Sequence, residues 1–302
     1  MIPHVVPSRR GQTHELAMRG APPMHAIQRP ALSLQRSVFP LAALGLILLL
    51  GAACGTAVAT PQPQRLTLAA SSSALPLAEE LAAGYHAAFP HISVDLLPLA
   101  NEAAATQATL TGQADAALIS GTVPVQDGLQ ASHVANDALA LIVHPSRALD
   151  DLPSPQVQEI LRGLVRSWEE LGAGQGAIQV VTREEGAGPR QVAVDAFLDA
   201  RPMTPTALVL PDDGQVRARV AADPQALALL PAAWLDDQVR ALSIDGRGPE
   251  WVAAGWPDYP AELPIHFLTP TTPAPEVGAL FDFMTSPRGQ RIISRHYAPI
   301  QP

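Results

Sequence analysis

The chain has 302 residues, a formal net charge of −9, 47% hydrophobic residues and one cysteine. That acidity argues against nucleic acid or anionic membrane surfaces as partners, and a single cysteine excludes internal disulfides and thiolate metal clusters. All 19 basic residues are arginines, and the 31 prolines alongside so much apolar sequence indicate fixed turns rather than disorder.

Near the start, Val38–Leu50 reads VFPLAALGLILLL, with Arg9, Arg10, Arg19, Arg29 and Arg36 before it. A basic start, a short apolar core and small residues make a secretory leader. The run is too short for a bilayer of ~30 Å, which needs ~20 residues. Gly51-Ala52-Ala53-Cys54 resembles the lipobox of bacterial lipoproteins, whose cysteine is lipidated and becomes the new N-terminus; Gly51 stands where that motif usually has Leu. Residues 1–53 are therefore expected to be a signal peptide and Cys54 the lipid attachment point; the alternatives are an ordinary leader with an incidental cysteine, or an uncleaved anchor. A start at Met24 would give a leader of ordinary size. Removing residues 1–53 leaves 249 residues carrying −13, enough for one large domain or two small lobes.

Residues 54–64 are small and Pro-rich and read as a tether. Leu66 and Leu68 alternate in a strand over Arg65–Ala70. Ser71-Ser72-Ser73 follows, then a helix from Leu75 to Phe89 with Leu77, Leu81 and Tyr85 on one face and Pro76 in its first turn. Ile92, Val94 and Leu96 predict a second strand, Asn101–Gly112 a helix, and Ala114–Ser120 a buried strand. Ala138–Val143 is a continuous apolar run, as in a strand covered on both faces. The second half repeats this logic. Helices are predicted at Ser154–Gly163, Pro189–Leu198, Val216–Ala222, Pro275–Ser286 and Pro287–His296, and strands at Ile178–Val181 and Ile265–Leu268. Alternating strands and helices predict an α/β fold with mainly parallel sheets.

The recurring unit is a strand, a small-residue turn and a helix start, at Ser71–Pro76 and again at Glu185–Arg190. Helix N-termini expose unpaired N–H groups and partial positive charge, so two such termini across a cleft would clamp an oxyanion; serine there is also a common cap. Arg183 and Arg190 flank the second turn and could make bidentate contacts with an oxyanion, or pair with the neighbouring glutamates. Asp115, at the head of a buried strand, could accept a proton from a monoprotonated oxyanion, cap a helix or pair with an arginine. The six histidines after the leader (His86, His91, His133, His144, His266 and His296) do not have metal-site spacing, and neither Gly-x-Ser-x-Gly nor HExxH occurs.

Taken in order, the segments resemble the phosphate-type substrate-binding proteins of ABC importers. The resemblance runs from about Arg65 to Pro302. ASSSALPLAEELA is similar to that family's Gly-Ser-Ser-Thr turn and helix, GQADAALIS to its Gly-x-x-Asp strand, and VVTREEGAGPR to its Arg-Glu-x-Gly-Ser-Gly-Thr-Arg loop. ALALIVHPSRALDDLPSPQVQEILRG with RSWEELG, VAADPQALALLP and the closing FDFMTSPRGQRIISRHYAPI continue the match. The resemblance implies a two-lobed periplasmic-binding-protein fold of type II, each lobe a mainly parallel sheet flanked by helices. The lobes implied are 65–136 with 265–302, and 137–264, joined by hinge strands. It implies a ligand site of Ser72, Ser73, Asp115, Arg183, Gly188 and Arg190, with no cofactor and no metal. Two departures stand out. Ala187 and Pro189 replace a Ser and a Thr of the third turn, and the second turn reads Asn101-Glu102-Ala103-Ala104-Ala105, where Glu102 would repel a dianion. Each missing donor to a charged ligand costs ~1.5–3 kcal/mol, so losing several weakens phosphate binding by orders of magnitude.

The expectation is a monomeric, extracytoplasmic solute-binding lipoprotein, not an enzyme, held to the membrane by lipid on Cys54. It would pass a small oxyanion, phosphate or similar, to the membrane subunits of an ABC importer. The alternative is a lipoprotein of the same fold whose degenerate site serves a sensor or an interaction partner.

Overall fold

The structure, a computed structural model, describes residues 64–123, 127–199, 201–256 and 258–300. The predicted signal peptide, Cys54 and the tether as far as Pro63 lie outside the described residues.

The chain opens with β1 (Gln64–Ser71), which buries Leu66 and Leu68. A single 3-10 turn, Ser72–Ala74, leads into α1 (Leu75–Ala88), with Pro76 in its first turn and Leu77, Leu81 and Tyr85 on its buried face. Next come β2 (Ile92–Leu99), α2 (Glu102–Leu110) and β3 (Ala116–Ser120). Asn101 caps α2 by accepting from the Ala104 N–H, which satisfies one otherwise unpaired helix donor. Then follow β4 (Leu129–Val143), β5 (Asp151–Leu152), α3 (Ser154–Leu161) and β6 (Gln179–Arg183). After these, α4 (Gly188–Ala193) continues into a π-helical turn at Val194–Leu198. The rest is β7 (Leu208–Leu210), α5 (Asp213–Ala222), β8 (Ala226–Pro231), β9 (Arg240–Ile244), α6 (Glu250–Ala253), β10 (Glu262–Pro270), α7 (Pro275–Thr285), α8 (Pro287–Ile293) and β11 (Ala298–Pro299).

The sheets are mixed. β1 pairs in parallel with β2 and β3, and β6 pairs in parallel with β7 and β8. These pairs are joined through helices, as parallel neighbours must be. The antiparallel pairs come mostly from two strands. β10 runs against β3 and β4, and β4 runs against β8 and β9. The expectation of mainly parallel sheets therefore holds for the outer strands and is replaced by antiparallel pairing in the middle.

β4 is the connecting element. It pairs with β10 from Leu129 to Ala138 and with β8 from Leu139 onward. On one side of this change lies a core of Leu66, Leu68, Leu77, Leu81, Phe267 and Met284; on the other lies one built on Leu141, Val157, Ile160, Trp168 and Leu227. Burial at about 25 cal/mol per Å² of apolar surface makes each cluster a separate source of stability. β1, β3 and β6 end at Ser71, Ser120 and Arg183, so their carboxyl ends feed the same region. In open α/β sheets ligands bind outside those ends.

Candidate functional site

Three backbone turns converge at this point. Ser73 belongs to the turn after β1, Ser120 ends β3, and Gly188 opens α4. Their donors meet on one group. The Glu102 carboxylate, at the start of α2, accepts from Ser73 Oγ at 2.8 Å, from Ser120 Oγ at 2.9 Å and from the Gly188 N–H at 2.9 Å. The hydroxyl bonds fall on Oε1 and the amide bond on Oε2. Ser73 and Ser120 Oγ also lie 2.5 Å apart, and Ser71 Oγ is 3.2 Å from Ser73 Oγ. Glu102 is only 5% exposed. A buried carboxylate persists when its oxygens are hydrogen-bonded.

The approach of Gly188 depends on its having no side chain. A Cβ there would sit 2.5 Å from Ser120 O, 2.6 Å from Ser120 Oγ and 2.9 Å from Glu102 Oε1. Its neighbour across the gap, Gly121, has φ +76, and a Cβ on it would reach Gly188 Cα at 2.8 Å. Glycine is the residue that permits both close approach and the left-handed backbone.

Arg183 is placed differently from the expectation of a ligand-binding guanidinium. It is 2% exposed and fully engaged within the protein. It donates to Asp213 Oδ2 at 2.5 Å, to both oxygens of Glu184, and to the carbonyls of Ala100 and Pro211. Asp213, at the start of α5, is completely buried. Burial pushes its carboxyl up to about 6, against the pull of Arg183 and Ser72. Arg190 donates to the carbonyl of Arg183 at 2.9 Å and thereby supports the same loop.

Ser72 turns away from the Glu102 cluster. Its Oγ accepts from the Asp213 N–H at 2.8 Å, and its carbonyl accepts from Trp234 Nε1 at 3.0 Å. Asn101 donates to Glu184 at 3.0 Å. These bonds, with Arg183 to Ala100 and Gly188 to Glu102, tie the β1–β2–α2 region to the β6–α4–α5 region.

Asp115 is elsewhere. It is exposed at the opposite end of β3 from Ser120, where its Oδ2 accepts from the Thr67 N–H at 2.7 Å. Five residues at ~3.3 Å each separate the two ends by roughly 16 Å. The strand-head acid therefore does not join the cluster, because the turns converge at the carboxyl ends. Ser120 and Asp213 are not singled out by the sequence, and Trp234 reads there only as a core or lobe-packing residue. Ser120 had one available signal: it closes the apolar strand run Ala116–Ile119 at its carboxyl end.

Glu102, Ser120 and Gly188 also line an open cleft of about 410 Å³ together with Thr122, Gly186, Gln191 and Asp195. Among the described residues no basic side chain lines it. No group of three or more His, Cys, Asp or Glu that could hold a metal occurs among the described residues.

A model of the PBP superfamily domain matches residues 57–288. The phosphate-binding protein PstS of Bacillus subtilis (strain 168) is 29% identical over 171 residues, which cover 55% of this chain and 56% of that protein. The phosphate-binding protein PstS 2 of a Streptococcus agalactiae serotype V strain is 27% identical over 110 residues, 35% of this chain and 37% of that protein. The chain thus matches about half or less of the length of these relatives. Among solved structures, a Clostridium perfringens protein described as a phosphate ABC transporter substrate-binding protein with bound phosphate superposes with a TM-score of 0.70 at 23% identity. That match covers 79% of this chain and 100% of the other. An ABC-type phosphate transport receptor from Vibrio cholerae superposes with a TM-score of 0.60 at 23% identity, covering 78% and 100%. These structural likenesses establish the fold.

Proposed function

The chain belongs to the PBP superfamily, and on that premise we propose that it is the extracytoplasmic solute-binding component of an ABC importer, taking an oxyanion of the phosphate class. One observation carries the reading. Two serine hydroxyls and a backbone N–H from three separate turns converge on a single pair of carboxylate oxygens. Preorganised donors of this kind suit a small oxyanion, because their orientation is fixed before the ligand arrives. The relatives named as phosphate-binding proteins support the same class of ligand. They also favour a binding protein over an enzyme, and the importer reading over a ligand-free sensor.

In this reading 65–136 with 265–302 form one lobe and 137–264 the other. The change of β4 partner between Ala138 and Leu139 supports a hinge there. Closure of the lobes would enclose the ligand. Cys54 would carry the lipid anchor, the folded part would be a monomer, and the membrane subunits of the importer would receive the ligand. Among the described residues no helix is long and apolar enough to cross a membrane. Cys54→Ala is expected to release the protein from the membrane fraction.

The test of ligand class is thermal melting of the full chain in millimolar phosphate, sulfate or a neutral sugar. A ligand that binds only the folded state raises the midpoint by mass action. Phosphate is expected to raise it and the sugar to leave it unchanged. An equal response to the sugar, or indifference to every anion by both the wild type and Glu102→Ser, would reject the reading.

A further inference from the structure

We propose that the Glu102 carboxylate is a built-in occupant of the oxyanion site, so that an external anion binds only by displacing it. The inference rests on the oxyanion-binding reading above and concerns how that same site is controlled. Its basis is geometric. Glu102 Oε1 takes the hydroxyls of Ser73 and Ser120, and Oε2 takes the N–H of Gly188. A carboxylate presents two oxygens on one centre, as two corners of a tetrahedral oxyanion do, and so it saturates the donors that an incoming anion needs.

The charge around it points the same way. Arg183, expected from the sequence to neutralise an anion, spends its guanidinium on Asp213, Glu184 and the carbonyls of Ala100 and Pro211. The cleft beside the cluster carries a second acid, Asp195, and no basic lining residue among those described. With Glu102 in place an arriving dianion meets like charge, and the donors of Ser73, Ser120 and Gly188 are already taken. With Glu102 swung out, it meets two hydroxyls and an amide already aimed at it. Glu102 is the first residue of α2, so a change of its side-chain rotamer suffices and the helix need not unwind.

The experiment is calorimetric titration of the full chain with inorganic phosphate, in wild type, Glu102→Ser and Glu102→Gln. Thermal melting without phosphate first establishes that each is folded. Ser73 and Ser120 stand 2.5 Å apart and can satisfy each other when the carboxylate is removed. Should Glu102→Ser fail to fold, Glu102→Gln keeps the side-chain volume, removes the charge and exchanges one acceptor oxygen for an NH2 donor. The expected result is at least a tenfold lower Kd for Glu102→Ser, and a smaller gain for Glu102→Gln. An unchanged Kd in a wild type that does bind phosphate overturns the inference and leaves the oxyanion reading standing. Weaker binding by the folded variants also overturns it, and makes Glu102 a ligand contact. No binding by wild type or either folded variant overturns both.

Discussion

At the level of single residues, the site is decided by contacts that no local pattern contains. The serine turn after β1 was legible as an anion-binding turn because three successive serines precede a helix start. Which serine faces the cluster was not. Ser73 reaches Glu102, whereas Ser72 serves the Asp213 N–H, 141 positions away in sequence. Arg183 looked available because glutamates and glycines surround it in sequence, but its buried partner Asp213 comes from a helix 30 positions later. Asp115 was misplaced for a different reason. The sequence shows an acid beside a buried strand but not which end of the strand meets the other turns. Gly188 gives the sharpest residue-level test. Gly188→Ala drives a methyl group into Ser120 and Glu102 and should destabilise the protein by about 1–3 kcal/mol, the usual cost of overpacking. Urea unfolding measures this, and a midpoint equal to wild type would show that the gap between the turns accommodates a methyl group.

Among the elements, helices and apolar strands were readable to within a few residues, because periodicity and proline placement are local properties. β4 was read only over Ala138–Val143. Its first half, LQASHVAND, lacks both alternation and a continuous apolar run, since β10 and β11 flank it and part of its surface faces solvent. β8 and β9 were not read as strands at all, and their place is set by pairing with β4. The segment between α3 and β6 contains little regular structure, and Arg147 is one of the side chains that hold it. Arg147 is 7% exposed, lies with its guanidinium 4.4 Å from the centre of the buried Trp168 ring, and donates to the carbonyls of Pro224, Ala173 and Gln175. Arg147→Ala removes three charge-assisted bonds and the stacking. It should lower stability by about 3 kcal/mol and expose Trp168. A red shift of the tryptophan emission at unchanged secondary structure would report that loosening; an unaltered spectrum and midpoint would contradict it.

For the molecule as a whole, the resemblance implies two lobes, and β4 changes partner from β10 to β8 where that reading puts the hinge. Asp137 sits on β4 beside the change of partner, 1% exposed, accepting from the N–H groups of Ala138 at 2.7 Å and Ala233 at 3.3 Å. Burial pushes its carboxyl up to about 7. In the unfolded chain that group loses its proton near pH 4. Between about pH 4 and pH 7 the folded state therefore holds more protons than the unfolded state, and stability falls as pH rises through that window, by at most about 1.4 kcal/mol per unit. Asp213 acts in the same direction. Asp137→Asn cannot titrate, so its melting temperature should vary less between pH 5 and pH 8 than that of wild type, whatever its absolute value. Equal slopes would show that Asp137 keeps an ordinary carboxyl at this joint.

Glu102 also changes what a binding curve from this protein would mean. A diffusible competitor can be diluted away, but a competitor attached to the first turn of α2 is present at a fixed effective concentration, whatever the volume of the sample. Half-saturation is then the intrinsic Kd divided by the fraction of molecules with Glu102 swung out, so it understates the strength of the donors by that factor. Exhaustive dialysis, the ordinary way to empty a receptor, leaves this occupant where it is.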